Sequence, residues 1–316
     1  MIVVSVIVVT FNHVQYIKQC LQSILRQQVN FKLELIIGED GSQDGTREIC
    51  EGFKAEFPDI VVLRLQNRAN VIYIDGKPTG RFNLIDCLSI ATGKYIAFCE
   101  GDDYWNDDNK LQQQVDFLEA NQDYSLCFHG ATKLNQATQR FDPFHLKKPK
   151  EVTDLTDLLR GENYIPTASI LLRRDLVSLP EFFKELPFAD YFLHLMCARK
   201  GHKIKFIDKE MAVYRIHSGG VHSVLLNSKK NLITAHKKHI LFWSIMLENE
   251  YFNREELKVA FISNHKYMLH FAAEIGDIKT LRECFNSMEN WESPLSFGGK
   301  LKLMLQAYFN KTRLQS

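Results

Sequence analysis

The stretch Ala97-Phe98-Cys99-Glu100-Gly101-Asp102-Asp103-Tyr104-Trp105 decides how the rest of the chain is read. The run Tyr95 to Cys99 is apolar and reads as a buried strand that stops at three carboxylates within four positions. Carboxylates so close repel one another, and taking them out of water adds a further cost, so the cluster calls for a neutralising cation. Oxygen-only ligands at a strand end suit Mg2+ or Mn2+, which keep several waters and share coordination with substrate phosphates. The same residues also suit an acidic turn that caps the next helix, since Asn106 and Asp107 precede a helical pattern. Local sequence leaves both readings open.

Working outward, Ile2 to Val9 is β-branched and almost wholly apolar, as in a central strand covered on both faces, and Thr10-Phe11-Asn12 ends it. Ile17, Leu21, Ile24 and Leu25 then form one helical stripe. A second strand, Leu33 to Ile37, ends in Gly38-Glu39-Asp40-Gly41-Ser42-Gln43-Asp44-Gly45-Thr46, and Ile49, Phe53 and Phe57 mark another helix. A third strand, Ile60 to Leu65, precedes a polar loop. A helix over Phe82 to Ala91, closed by Gly93, leads back to the acidic strand. Strands alternating with helices imply a parallel sheet, and in such sheets ligands sit outside the carboxyl ends of the strands. All three unusual polar stretches fall at carboxyl ends, which favours a site over a cap. The segment 41–45 has neither the glycine spacing of a dinucleotide fingerprint nor the Lys-Ser/Thr of a phosphate loop, which argues against hydride transfer and P-loop chemistry. Asp40 suits a hydrogen bond from a base ring, and Asp44 suits a cap for the helix at Thr46.

Downstream, Leu111, Val115 and Leu118 continue a helix, Tyr124 to His129 reads as a short strand, and Ile165 to Arg174 as a polar turn feeding a strand. Asp190 is a lone acid at the start of an apolar helix, either a charge favoured by the helix dipole or a base poised by its neighbours. Phe206 to Asp208 and Met211 to Arg215 read as two short strands, followed by a loop, Ile216 to Ser223, with two histidines and two glycines. From about Ser228 the pattern is helical, with a break at Gly276-Asp277. The tail, 296–316, contains no acid and sets Lys300, Lys302, Lys311 and Arg313 among apolar residues, so it suits either packing on the body or contact with an anionic membrane. With 39 basic and 38 acidic residues and a net charge of +1, the chain lacks the positive field of a nucleic-acid binder. Seven scattered cysteines without a CxxC pair point to reduced thiols in a cytoplasmic setting, and the apolar start lacks the basic leader of a secretory signal.

The order of motifs resembles the family 2 glycosyltransferases of GT-A fold, in the group that makes bacterial surface polysaccharides. The resemblance rests on Ser5 to Asn12, Gly38 to Thr46, Ala91 to Trp105, Ala189-Asp190-Tyr191 and Tyr214 to His217. It implies an α/β architecture with a mostly parallel sheet, a nucleotide-sugar domain over 1–223 and a helical region over 224–316. It further implies that Thr10, Phe11 and Asp40 hold the nucleotide base and that Arg81 lies near the diphosphate. Glu100 stands where the family's DxD motif usually begins with Asp, facing the ribose. Asp102, with Asp103 beside it, matches the position that binds Mn2+ or Mg2+, and His217 fits a closing loop that completes the metal or diphosphate site. Asp190 matches the general base of an inverting displacement. The partners implied are a nucleotide-sugar donor, UDP-linked, and a glycan or lipid-linked acceptor. The competing readings are an idle nucleotide-sugar-binding relative and a nucleotidyltransferase; the latter lacks the early phosphate loop it needs.

Overall fold

The computed structural model describes residues 1–160, 163–220, 228–292 and 295–315. The chain forms two compact units, one of Met1–Leu158, Asn163–Lys184 and Ala189–Ile216, the other of Leu159–Glu162, Glu185–Phe188 and His217–Ser316. Residues 221–223 of the histidine loop, and the boundary expected at 223, lie outside the described residues.

The first unit begins with β1 (Val4–Thr10), α1 (Ile17–Leu25), β2 (Leu33–Glu39), α2 (Thr46–Glu56) and β3 (Val61–Leu65). β1, β2 and β3 pair in parallel, with Val6 opposite Leu35 and Ile37 opposite Leu63. The expected stripe drives α1 onto the sheet: Ile17, Cys20, Leu21 and Ile24 are buried, and each buried Leu or Ile contributes about 1.5–3 kcal/mol. The polar loop holds a hairpin, β4 (Ile72–Ile74) and β5 (Lys77–Thr79), before α3 (Arg81–Ile90) and β6 (Tyr95–Phe98). β6 lies parallel to β1 on its other side, with Ala97 opposite Val6. Gly93 makes this approach possible, because a Cβ there would come within 2.5 Å of the Ser5 nitrogen.

After the acidic turn come β7 (Tyr104–Trp105), α4 (Lys110–Ala120), β8 (Tyr124–Asn135), β9 (Arg140–Pro143), β10 (Val152–Thr153), α5 (Leu155–Arg160), β11 (Leu171–Arg173), α6 (Ala189–Ala198) and β12 (Lys203–Ile216). The strand order is β10-β12-β8-β11-β6-β1-β2-β3, with β7 on β12 and β9 on β8. β11 runs antiparallel to both neighbours, so the sheet is parallel in its first half and mixed in its second. Two expectations are corrected in detail. The short strand at Tyr124 to His129 continues to Asn135, where β9 pairs with it. The two short strands at 206–208 and 211–215 are one, β12, whose register shifts between Ile207, Glu210 and Ala212 break the period-two alternation that sequence reading relies on.

The second unit contains α7 (Lys229–Glu248), α8 (Arg254–Ile275), α9 (Ile278–Asn290) and α10 (Phe297–Gln315). Asn253 and Glu256 form a capping box at the start of α8, and Gly276 ends that helix at φ 74°, a left-handed position that suits glycine. Met268, Leu269, Ala272, Leu281, Cys284, Phe285 and Ala307 share one core, so the tail packs through Ala307 with Leu303 and Met304 beside it. Phe297, Leu301, Leu305, Tyr308 and Phe309 stay exposed. Among the described residues no helix is long and apolar enough to cross a membrane.

Candidate active site

The three polar stretches meet at the carboxyl ends of β1, β2 and β6. Asp40 donates its backbone N–H to the Thr10 carbonyl at 3.0 Å, and Gly101 donates to the Val9 carbonyl at 3.0 Å. Asn12, in the left-handed region at φ 55°, donates its N–H to Ser42 Oγ and accepts the Gln43 N–H on Oδ1. Asp44 accepts the N–H groups of Val14 and Thr46, each at 3.0 Å, so it ties the two loops together as well as serving the start of α2.

On this floor, the Asp40 carboxylate is buried and pairs with Arg68 at 2.6 Å, while the Arg68 guanidinium lies 4.2 Å above the Phe11 ring. Burial raises the Asp40 pKa, and the Arg68 charge opposes that rise. Thr10, Phe11 and Asp40 are therefore brought together, with Arg68 as a member that sequence reading missed. Its signal was weak: one arginine in a polar loop.

The acidic turn is held close against β1. A Cβ on Gly101 would approach Thr10 Oγ1 to 2.5 Å, and Thr10 Oγ1 lies 3.2 Å from His13 Nδ1. Glu100 is only partly covered as a residue, yet its Oε2 is buried without a hydrogen-bond partner among the described residues, while the Thr167 hydroxyl bonds its carboxylate. Burial first, and then the charges of Asp102 and Asp190, push its pKa up to about 8. Asp103 is 1% exposed and accepts the Arg215 N–H at 2.8 Å; burial and the neighbouring acids raise its pKa well above the usual carboxylate range. The Asp102 side chain keeps 20% exposure and lies 3.9 Å from His13 Nε2.

Arg215 braces the turn. Its guanidinium donates to the Asp102 carbonyl and to Gln19 Oε1, and it stacks on Tyr104 and Tyr16 at 4.6 and 5.1 Å. This arginine follows Tyr214 in a stretch that the resemblance marks, but sequence reading gave it no role.

Arg81, the first residue of α3, is enclosed by the protein. It is 5% exposed, donates to the Phe183 carbonyl at 3.0 Å and lies 4.4 Å from that ring. Burial lowers its pKa to about 10 against the attraction of Asp190. Asp190 begins α6, and its Oδ2 accepts Asn163 Nδ2 at 2.5 Å. The charge of Asp190 thus acts on both Glu100 and Arg81, whereas their sequence positions are far apart. His217 opens the second unit, where its carbonyl accepts the Gly220 N–H.

Among the described residues, no group of three or more His, Cys, Asp and Glu side chains is arranged as a metal cage. The residues nonetheless suit a divalent ion shared with a ligand. Glu100 Oε2 is an orphaned buried acceptor, and the acids around it oppose one another in a way that a cation would relieve.

Comparison with known proteins agrees with this layout. The chain is 32% identical over 232 residues to "Uncharacterized protein Rv1520" of Mycobacterium tuberculosis, covering 72% of this chain and 62% of the relative. It therefore spans less than two thirds of that relative's length. It is 28% identical to "UDP-Glc:alpha-D-GlcNAc-diphosphoundecaprenol beta-1,3-glucosyltransferase WfaP" of Escherichia coli over 242 residues, 73% of this chain and 82% of that one. Among solved structures, S. aureus TarS 1-349 in complex with UDP-GlcNAc superposes with a TM-score of 0.55 at 18% identity, covering 99% of this chain and 92% of that one, a likeness of fold. The strand-end acids and the loops stitched around Thr10 lie within residues 5–178, the stretch that matches the family model "Glycosyl transferase family 2", and the chain belongs to that family.

Proposed function

We propose that the chain is an inverting, metal-dependent sugar transferase that uses a UDP-linked donor and a glycan or lipid-linked acceptor in cell-surface polysaccharide synthesis. The observation that carries the reading is the acidic turn, with the buried, unpartnered Glu100 Oε2 at its head and the charge of Asp190 acting on it. The WfaP name, with its UDP-linked glucose and diphosphoundecaprenol-linked acceptor, supports the substrate classes. We assign the nucleotide-sugar chemistry to residues 1–223 and treat 224–316 as a helical appendage.

In this reading Phe11 offers a face to the base, Asp40 accepts its ring N–H, and Thr10 closes the floor. Glu100 faces the ribose. Asp102, with Asp103 beside it, would hold Mn2+ or Mg2+, which would supply positive charge against the diphosphate as it leaves. Arg81 adds a cation on the same side. Asp190 takes the proton of the acceptor hydroxyl as its oxygen bonds to the anomeric carbon and the bond to the diphosphate oxygen breaks. Attack from the face opposite the leaving group inverts the anomeric centre.

The test is release of UDP from a panel of UDP-sugars with Mn2+ present. Asp102→Ala and Asp190→Asn, each folded by circular dichroism, are expected to lose it. Full activity in either removes the role given to that residue. We also infer peripheral attachment at the cytoplasmic face of the membrane through 296–316, supported by the exposed Phe297, Leu301, Leu305, Tyr308 and Phe309 beside Lys302. Co-sedimentation with phosphatidylglycerol vesicles should fall in the Leu301→Ser/Leu305→Ser/Phe309→Ser variant. Equal sedimentation refutes the attachment.

A further inference from the structure

Asp190 and His194 are one turn apart on α6 and therefore share a face of the helix. Asn163 joins them. Its Nδ2 donates to Asp190 Oδ2 at 2.5 Å, and its Oδ1 meets His194 Nδ1 at 3.1 Å. Only one orientation of the amide satisfies both neighbours, because the reversed amide would turn its oxygen toward the carboxylate. A carbonyl-type partner requires the imidazole to carry its hydrogen on Nδ1. His194 is fully buried and its Nε2 has no hydrogen-bond partner among the described residues. Burial also lowers its pKa to about 4, so the ring is neutral at pH 7.

We propose that Asn163 is the positioning residue of Asp190 and that His194 is the strut that keeps the Asn163 amide facing the right way. The inference rests on the reading of Asp190 as the base. Asn163 engages Oδ2 and thereby presents Oδ1 to the acceptor hydroxyl. The charge of Asp190 reaches titratable groups on other elements as well: Arg81 on α3, Glu100 after β6 and Tyr214 on β12, besides His194 on its own helix. Asn163 differs from all of them in that its side chain does not titrate. An amide can hold a carboxylate in place without the full charge that would blunt its basicity.

The experiment uses the full chain and the UDP-sugar that gives the fastest UDP release with Mn2+. Asn163→Ala should lower kcat about tenfold to a hundredfold with the donor KM within about twofold, as expected when a supporting bond rather than a binding contact is lost. Asn163→Asp has the same shape but sets a carboxylate against Asp190. It should fall below Asn163→Ala and move the acidic limb of the rate profile to higher pH, which a purely structural role for the side chain would not do. Unchanged kcat and pH profile in Asn163→Ala, with Asp190→Asn inactive, overturn this inference alone; an active Asp190→Asn overturns the base reading itself. A readout independent of activity is nitrogen NMR of the histidines in the wild-type chain. His194 should carry its proton on Nδ1, and an Nε2–H tautomer overturns the strut without any variant.

Discussion

Replacing Glu100 with glutamine should make the metal-free protein more stable at neutral pH while making it a poorer enzyme. Burial and the charges of Asp102 and Asp190 raise the Glu100 pKa from an ordinary 4.5 to about 8. A carboxyl group with a raised folded-state pKa binds its proton more tightly in the folded chain than in the unfolded one. Its contribution is therefore intact below pH 4.5 and is lost progressively as the pH rises toward 8. At pH 7 the gap of 2.5 units between 7 and 4.5, at about 1.36 kcal/mol per unit, gives an upper bound of about 3 kcal/mol of lost stability. Solvent reaching the partly covered side chain reduces this, so a gain of about 1–3 kcal/mol is expected for Glu100→Gln, or roughly 2–6 °C in Tm. The glutamine keeps the shape and an oxygen for Thr167 but has no charge to desolvate. The assay is thermal unfolding in EDTA at pH 5 and pH 7.5: the variant should match wild type at pH 5 and exceed it at pH 7.5. A difference that is the same at both pH values, or a variant less stable at pH 7.5, refutes the claim that Glu100 stores this penalty.

Added Mn2+ with UDP should raise the wild-type Tm more at pH 7.5 than at pH 5, because ligand and metal compete with protons for the same oxygens, and EDTA should abolish the increment; pH-independent stabilisation argues against this. Gly101→Ala should cost about 1–3 kcal/mol in urea unfolding, since the added Cβ would lie 2.5 Å from Thr10 Oγ1 and the turn or β1 must move; a neutral result shows that the turn is not held there. Arg215→Lys keeps the charge but loses the planar fork that reaches both the Asp102 carbonyl and Gln19 between two aromatic rings. UDP release should fall more than tenfold while the far-ultraviolet spectrum is unchanged, and wild-type activity in that variant removes the bracing role.

What could be read from the sequence depended on how local its cause was. β1, α1, β2 and β6 are legible because their burial patterns repeat over short windows, and the acidic turn is legible because three charges sit together. The antiparallel direction of β11 is not, since Leu171-Leu172-Arg173 has the same apolar character whichever way it runs. The union of 206–208 with 211–215 into β12 was hidden by bulges. The missing members of the site share one trait. Arg68, Asn163, His194 and Arg215 are ordinary polar residues whose partners are distant in the chain, Asp40 for Arg68, Asp190 for Asn163, Asn163 for His194 and Asp102 for Arg215, so only the fold brings them to their tasks.

The way Arg215 meets the acidic turn bears on why three carboxylates tolerate one another. A guanidinium placed against the carboxylates would neutralise them, and the turn would then need nothing more. Instead, its donors go to the Asp102 carbonyl and to Gln19, and its backbone N–H goes to Asp103. The turn is thus fixed in shape by bonds to its backbone and to one buried acid, and the Asp102 carboxylate lies 3.9 Å from His13 Nε2. A chain selected only for stability would have discharged the cluster, since an unneutralised buried acid costs several kcal/mol. A turn held rigid around Glu100, whose buried carboxylate is pushed toward its protonated form, favours a site that takes up a divalent ion with its ligand, and it is the reason that stability and activity are expected to move in opposite directions at Glu100.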